Sequence, residues 1–139
     1  MRKEVNDTSD EKELPLTEAS WVKLVQERRL LLAYCADCGR HAVVPSSKCK
    51  ACGSSNVAWK DASGKGTIYS YTITFVPPPQ LATIAPYCAA VVDLEEGARV
   101  NAIITGVDAA ALPRDLVGAK VELDFLELDG RVLLAFRRT

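Results

Sequence analysis

The chain has one histidine and one methionine among 139 residues, and aromatic side chains make up only 6% of it. General acid–base catalysis draws on histidine more than on any other residue type. A single copy therefore leaves little material for a self-contained catalytic centre. The G-x-S-x-G, phosphate-loop and H-E-x-x-H patterns are also missing, which removes three frequent hydrolase and NTPase signatures. No apolar run approaches the roughly 20 residues that a membrane span needs. The first residues, Met1-Arg2-Lys3-Glu4-Val5-Asn6-Asp7, lack the apolar stretch of a secretory signal. A soluble, cytoplasmic protein is expected, in a compartment where thiols stay reduced. Strong net charge is absent too, since 17 basic side chains face 18 acidic ones.

Four of the five cysteines stand in two matching knuckles, Cys35-Ala36-Asp37-Cys38-Gly39 and Cys49-Lys50-Ala51-Cys52-Gly53. Two residues between cysteines allow one tight turn to aim both sulfurs at one ion, and the following glycine tolerates a positive φ. Two such turns supply a full tetrahedral set of thiolates, which selects zinc, with iron as the main competitor. Disulfides are the other use of this pattern, but a reduced compartment favours the metal. With all four positions filled by protein, the zinc is expected to be structural and not catalytic. The fifth cysteine, Cys88, lies in the apolar run Tyr87-Cys88-Ala89-Ala90-Val91-Val92 and reads as a buried thiol rather than a nucleophile.

The remaining pattern is mainly β. Residues 1–15 read as a disordered tail. Residues 16–29 read as an N-terminal helix, capped by Thr17 and carrying Trp21, Leu24 and Val25 on one face. Residues 30–60 read as a zinc ribbon of three short strands, and residues 61–139 as a second unit of five strands. In that unit Thr67, Tyr69, Tyr71, Ile73 and Phe75 alternate as one face. Val121, Leu123 and Phe125 form another face, and Val132, Leu134 and Phe136 a third. Asp129-Gly130 signals a tight hairpin. Five short strands with one insertion, Asp108 to Gly118, suit an OB-fold barrel, with an SH3-like barrel as the competing closure.

Charge is distributed unevenly. Residues 14–66 carry eight bases and four acids, whereas residues 67–139 carry six bases and nine acids. Arg28, Arg29, Arg40, Lys48, Lys50, Lys60 and Lys65 thus form a basic group around the ribbon, fit either for phosphates or for plain solvation. Gly64-Lys65-Gly66 suits a phosphate cradle or a tight turn equally well. Phe75-Val76-Pro77-Pro78-Pro79-Gln80-Leu81 is an apolar, donor-poor segment, suited to docking or to a rigid connection. Glu122, Asp124 and Glu127 read as a solvated strand face.

The string as a whole resembles one family. Trp21 precedes Arg29-Leu30-Leu31-Leu32, the two knuckles, Pro45 and Trp59. Gly64-x-Gly66-Thr67-Ile68-Tyr69-Ser70-Tyr71-Thr72, the triple proline, Pro86-Tyr87 and Val91-x-x-Leu94-x-x-Gly97 follow. This is similar, over about residues 16–139, to the acyl-CoA-associated proteins with a rubredoxin-like zinc ribbon and an OB-fold, catalogued as domain of unknown function 35. Such proteins accompany thiolase-like enzymes, among them thiolases, aldolases of steroid side-chain degradation and acyltransferases. The resemblance implies a non-catalytic, zinc-binding subunit in a hetero-oligomer, acting in lipid or aromatic acyl-CoA metabolism. It implies a scaffold that shares the acyl-CoA with its catalytic partner. On that footing Cys35, Cys38, Cys49 and Cys52 hold zinc. Arg40, Lys48, Lys50 and Lys65 are candidates for the phosphates of coenzyme A, and Trp21, Pro77, Pro78 and Pro79 for the partner interface. The alternative is a single-stranded nucleic-acid-binding protein with Tyr69, Tyr71 and Phe75 as a stacking platform. The chain's near-neutral charge speaks against it.

Overall fold

The computed structural model describes residues 14–139, so the tail expected over residues 1–15 falls, apart from its last two positions, outside the described residues. The described residues divide into two compact units, 14–62 and 63–139.

In the first unit Thr17, in extended backbone, accepts the Ser20 N–H at 3.3 Å and starts helix α1, Glu18–Gln26. Glu18 in the first turn complements the positive end of the helix dipole. Leu24 and Val25 are buried, while Trp21 is half-buried. The helix ends three residues before the expected stop. Arg28 swings to φ 62, its N–H reaches the Val25 carbonyl, and the Arg29 N–H reaches that of Leu24 at 2.9 Å. These two bonds form a Schellman closure, which glycine usually builds. Arg28 and Arg29 mark this end in the sequence only as cations suited to the negative end of the helix.

Three strands follow: β1, Leu31–Cys35, β2, His41–Ala42, and β3, Val57–Asp61. Their order is β2-β1-β3, antiparallel on both sides, with Tyr34 opposite His41 and Cys35 opposite Val57. The central strand is apolar on both faces, and Leu30 through Ala33 are all buried. Its two neighbours alternate.

The second unit is a closed barrel of β4, Lys65–Thr74, β5, Tyr87–Leu94, β6, Arg99–Thr105, β7, Lys120–Leu128, and β8, Arg131–Arg138. The order around it is β4-β5-β6-β8-β7. Every contact is antiparallel except β6 with β8, which gives the Greek-key closure of an OB-fold. Asp129 and Gly130, at φ 52 and 76, turn β7 into β8 as a two-residue hairpin of the primed type. The insertion before β7 holds one short 3-10 turn, Ala109–Ala111. Cys88, Ala90, Val92 and Leu94 of β5 all point inward and are buried with Ile68, Val121 and Phe136.

The single-face alternation expected along β4 does not hold. Ile68 pairs with Val92 and Ser70 with Val91, so Tyr69 is the extra residue of a β-bulge. The bulge shifts the pleat by one residue. Ile68 is buried at 1% exposure and Tyr71 and Ile73 are half-buried, whereas Tyr69 is 51% exposed. Phe75 lies beyond the strand end and is exposed.

Candidate metal centre

The two knuckles are built alike. In each, the first cysteine's N–H donates to a carbonyl five residues on, Cys35 to Arg40 at 3.0 Å and Cys49 to Ser54 at 2.8 Å. In each, the glycine N–H donates back to the first cysteine's carbonyl at 2.8 Å, from φ 80 at Gly39 and φ 78 at Gly53. The turns need those positive angles, which an L side chain rarely adopts. Asp37 ties the knuckles together. Its carboxylate accepts from Ser54 and, at 3.5 Å, from the Asn56 amide, while the Ala36 N–H reaches the Asn56 carbonyl at 3.0 Å.

The outcome is four sulfurs within 4.8 Å of one another. Cys35 and Cys52 are 3.6 Å apart, as are Cys38 and Cys49, far beyond a disulfide bond. Zinc–sulfur bonds of about 2.3 Å in a tetrahedron place neighbouring sulfurs about 3.8 Å apart. The residues present therefore fit zinc. The backbone also prepares them for charge. N–H groups of Cys52 and Ala51 aimed at the Cys49 sulfur lower its pKa from 9.0 to about 6. The Ser54 N–H favours the charged form of Cys52 in the same way. The nearby Cys35, burial and the other two sulfurs outweigh it and push Cys52 up to about 12. Four thiols this close cannot all ionise unaided, and a divalent cation removes that conflict.

One groove opens beside this centre. It has a volume of about 200 Å³, with Val44 and Val57 on its apolar side and Arg40, His41, Lys48 and Lys50 around it. The His41 ring lies 4.8 Å from that of Tyr34, and its Nε2 is buried without a hydrogen-bond partner. The rest of the basic group is dispersed. Arg29 pairs with Asp61 at 3.1 Å, and Lys60 sits over the Tyr34 ring at 4.5 Å. Lys65 belongs to the second unit, where it lines a recess shared with Asp93, Glu95 and Glu122. Lys65 is not among the residues that line the groove.

Other candidates resolve into packing. Gly66 sits where β4 meets β5, and an added Cβ would lie 2.6 Å from Val92 Cγ1 and 2.7 Å from the Asp93 carbonyl oxygen. Close strand approach explains this glycine without a phosphate. Cys88 is 1% exposed, and burial raises its pKa, which makes a thiolate unfavourable. Asp124 is half-buried and accepts from the Thr105 hydroxyl at 3.0 Å, so it leaves the solvated acidic face expected for it, while Glu122 and Glu127 are exposed. Tyr69 lies outside with the Arg99 guanidinium 3.8 Å over its ring, while the Tyr71 hydroxyl donates to the Pro113 carbonyl at 2.7 Å. The two tyrosines do not share a stacking face. Trp21 Nε1 is buried without a partner. Pro77 is half-buried, and Pro78 and Pro79 are exposed. Sequence reasoning did not single out Val44, Val57 or the Nε2 of His41. The sequence suggested a strand from His41 to Val44, but β2 stops at Ala42 and Val44 is 66% exposed.

Comparison with known proteins places the chain. The model of the ChsH2 rubredoxin-like zinc ribbon domain matches residues 23–58, and that of the ChsH2 C-terminal OB-fold domain matches residues 59–126. A "DUF35 domain-containing scaffold protein" of Methanothermobacter thermautotrophicus is 31% identical over 127 residues, covering 87% of this chain and 93% of its own. The chain belongs to the ChsH2/DUF35 family of zinc-ribbon and OB-fold proteins. Family membership makes the four-cysteine centre a zinc ribbon, with zinc in a structural role. Among solved structures, the chain is similar to one of the "Ltp2-ChsH2(DUF35) aldolase", with 32% identity, a TM-score of 0.74, and 91% of this chain and 97% of that one covered. A "Probable enoyl-CoA hydratase alpha subunit" of Thermomonospora curvata is 34% identical over 116 residues. That match covers 84% of this chain but 35% of the relative, so the chain spans about a third of that protein. No helix among the described residues is long and apolar enough to cross a membrane.

Proposed function

We propose that this protein is a non-catalytic cytoplasmic subunit that scaffolds a thiolase-type acyl-CoA enzyme and contributes to the binding of the acyl-CoA. The observation that carries this reading is a closed four-sulfur centre beside a single further cysteine, which is buried, and a single histidine, which belongs to the ribbon. The zinc has no position left for substrate, Cys88 is buried, and His41 is held within the ribbon. A chain so equipped offers surface rather than chemistry. The similarity to the ChsH2 component of an aldolase complex supports a catalytic partner of that kind. The partner supplies nucleophile and acid–base groups, and this chain supplies shape and charge.

Arg40, Lys48 and Lys50 are the cations we assign to the phosphates of coenzyme A. Trp21, the half-buried Pro77 and the exposed Pro78 and Pro79 are assigned to the partner interface. Trp21 has a buried indole N–H with no acceptor, and the prolines expose an apolar surface that loses little entropy on docking. The test is reconstitution. This chain should co-purify with a thiolase-like catalytic chain encoded beside it, and omitting it should abolish that chain's turnover of acyl-CoA. Full activity of the catalytic chain alone, or turnover of a thioester by this chain alone, would overturn the proposal.

A further inference from the structure

The four sulfurs of the metal centre are not equivalent. In each knuckle the first cysteine is the more protected. Cys35 is 2% exposed and Cys49 is half-buried, whereas Cys38 and Cys52 are exposed. Hydrogen bonding divides them in the same way. The Cys35 sulfur accepts from the backbone N–H groups of Cys38 and Asp37, and the Cys49 sulfur from those of Cys52 and Ala51. Cys38 and Cys52 have one backbone donor each, from Arg40 and Ser54. Each such bond stabilises charge on sulfur and makes the thiolate a poorer nucleophile. Exposure and hydrogen bonding thus single out the same two sulfurs as the reactive ones. Their nearest neighbours lie across the centre, Cys38 with Cys49 and Cys52 with Cys35, both at 3.6 Å. The first of these pairs avoids the buried Cys35. Arg40, Lys48 and Lys50 line the groove beside the centre, and reactive cysteines occupy such electropositive, partly exposed surroundings.

We propose that the ribbon is a peroxide-responsive switch, in which Cys38 is oxidised, Cys49 closes a disulfide onto it, and zinc is released. Metal coordination keeps the four sulfurs as thiolates at neutral pH. The Cys38 thiolate attacks one oxygen of hydrogen peroxide, the O–O bond breaks, hydroxide leaves, and Cys38 becomes a sulfenic acid. The Cys49 thiolate then attacks the Cys38 sulfur, forming the S–S bond and expelling a second hydroxide. Each hydroxide takes a proton and becomes water, so two thiolates have passed two electrons to one peroxide. Cys35 and Cys52 alone then remain as ligands, half of the set that zinc requires. No hydrophobic residue between Ala36 and Ala58 is buried, so the knuckles lose their order with the metal. A thiol reductant breaks the bond again by exchange, and zinc rebinds. Cys88, 1% exposed in the barrel, takes no part. None of this depends on the catalytic partner.

Titration of the zinc-loaded full chain with hydrogen peroxide tests this, with a chromophoric chelator reading the zinc. Each peroxide consumed should remove two free thiols and release one zinc. Excess thiol with added zinc should restore the metal content. Connectivity is read by mass spectrometry after the remaining thiols are blocked. Cleavage after lysine and arginine and before Asp37 puts Cys35, Cys38, Cys49 and Cys52 on four separate peptides. The first bridge should join Cys38 to Cys49, with Cys88 still reduced. Cys88→Ser should respond to peroxide as the wild type does. Cys38→Ser and Cys49→Ser remove zinc ligands and lose the metal whatever the mechanism, so the wild-type chain carries the test. Zinc retained through a treatment that fully oxidises free glutathione, a first bridge of any other pairing, or zinc loss that thiol does not reverse would each overturn the proposal.

Discussion

The ribbon unit and the barrel unit hold themselves together in different ways. In the barrel, buried apolar residues come from all five strands, with Ile68, Val92, Ile104, Val121 and Phe136 each 4% exposed or less. In the ribbon unit they end at Cys35. Leu24, Val25 and Leu30 through Ala33 are buried, but no hydrophobic residue between Ala36 and Ala58 is. The knuckles and the groove they carry therefore have no hydrophobic core, and metal–sulfur bonds stand in for it. A surface can thus be presented by a segment that apolar burial alone would leave unfolded.

The largest expected effect breaks this contrast on the ribbon side. Structural zinc contributes on the order of 10 kcal/mol to such centres. Cys35→Ser should therefore abolish zinc binding and disorder the knuckles, while the barrel's thermal transition persists. Calorimetry and zinc content, followed together, check this. The reverse break is Phe136→Ala. It should cost the barrel about 3–5 kcal/mol as a core cavity, seen as a lower barrel transition, with zinc stoichiometry unchanged. Gly66→Ala should destabilise the barrel by about 1–3 kcal/mol through overpacking against Val92 and Asp93, measurable by denaturant unfolding. Acid should separate the units again. Protons compete with the metal for the four thiolates, so zinc binding weakens as the pH falls. Zinc release to a chromophoric chelator should rise on acidification while barrel circular dichroism holds steady. The smallest effect belongs to Arg29→Ala, whose pairing with the exposed Asp61 should be worth no more than about 1 kcal/mol.

How legible each unit was in the sequence follows from the same contrast. The knuckles could be read directly because metal ligands must recur at fixed spacings, and a reduced compartment leaves zinc as the favoured use of Cys35, Cys38, Cys49 and Cys52. The barrel strands were legible through alternation and through Asp129-Gly130, where backbone angles dictate residue type. Legibility failed where geometry departs from periodicity. The bulge at Tyr69 leaves no mark in a string of alternating residues, and the helix stop at Arg28 was legible only to within a turn, from the cations there and not from a glycine. Lys65 was grouped with the ribbon cations by nearness in sequence, although it sits among Asp93, Glu95 and Glu122 of the barrel. The groove itself depends on where Val44 and Val57 meet the knuckles, which spacing does not encode.

Hydrogen–deuterium exchange of the full chain, with and without a zinc chelator, tests the central contrast most directly. Residues 36–56 should lose protection once the metal is withdrawn, while the strands between Lys65 and Arg138 keep theirs. Unchanged protection of the knuckles without zinc, or simultaneous loss across the barrel, would contradict the account.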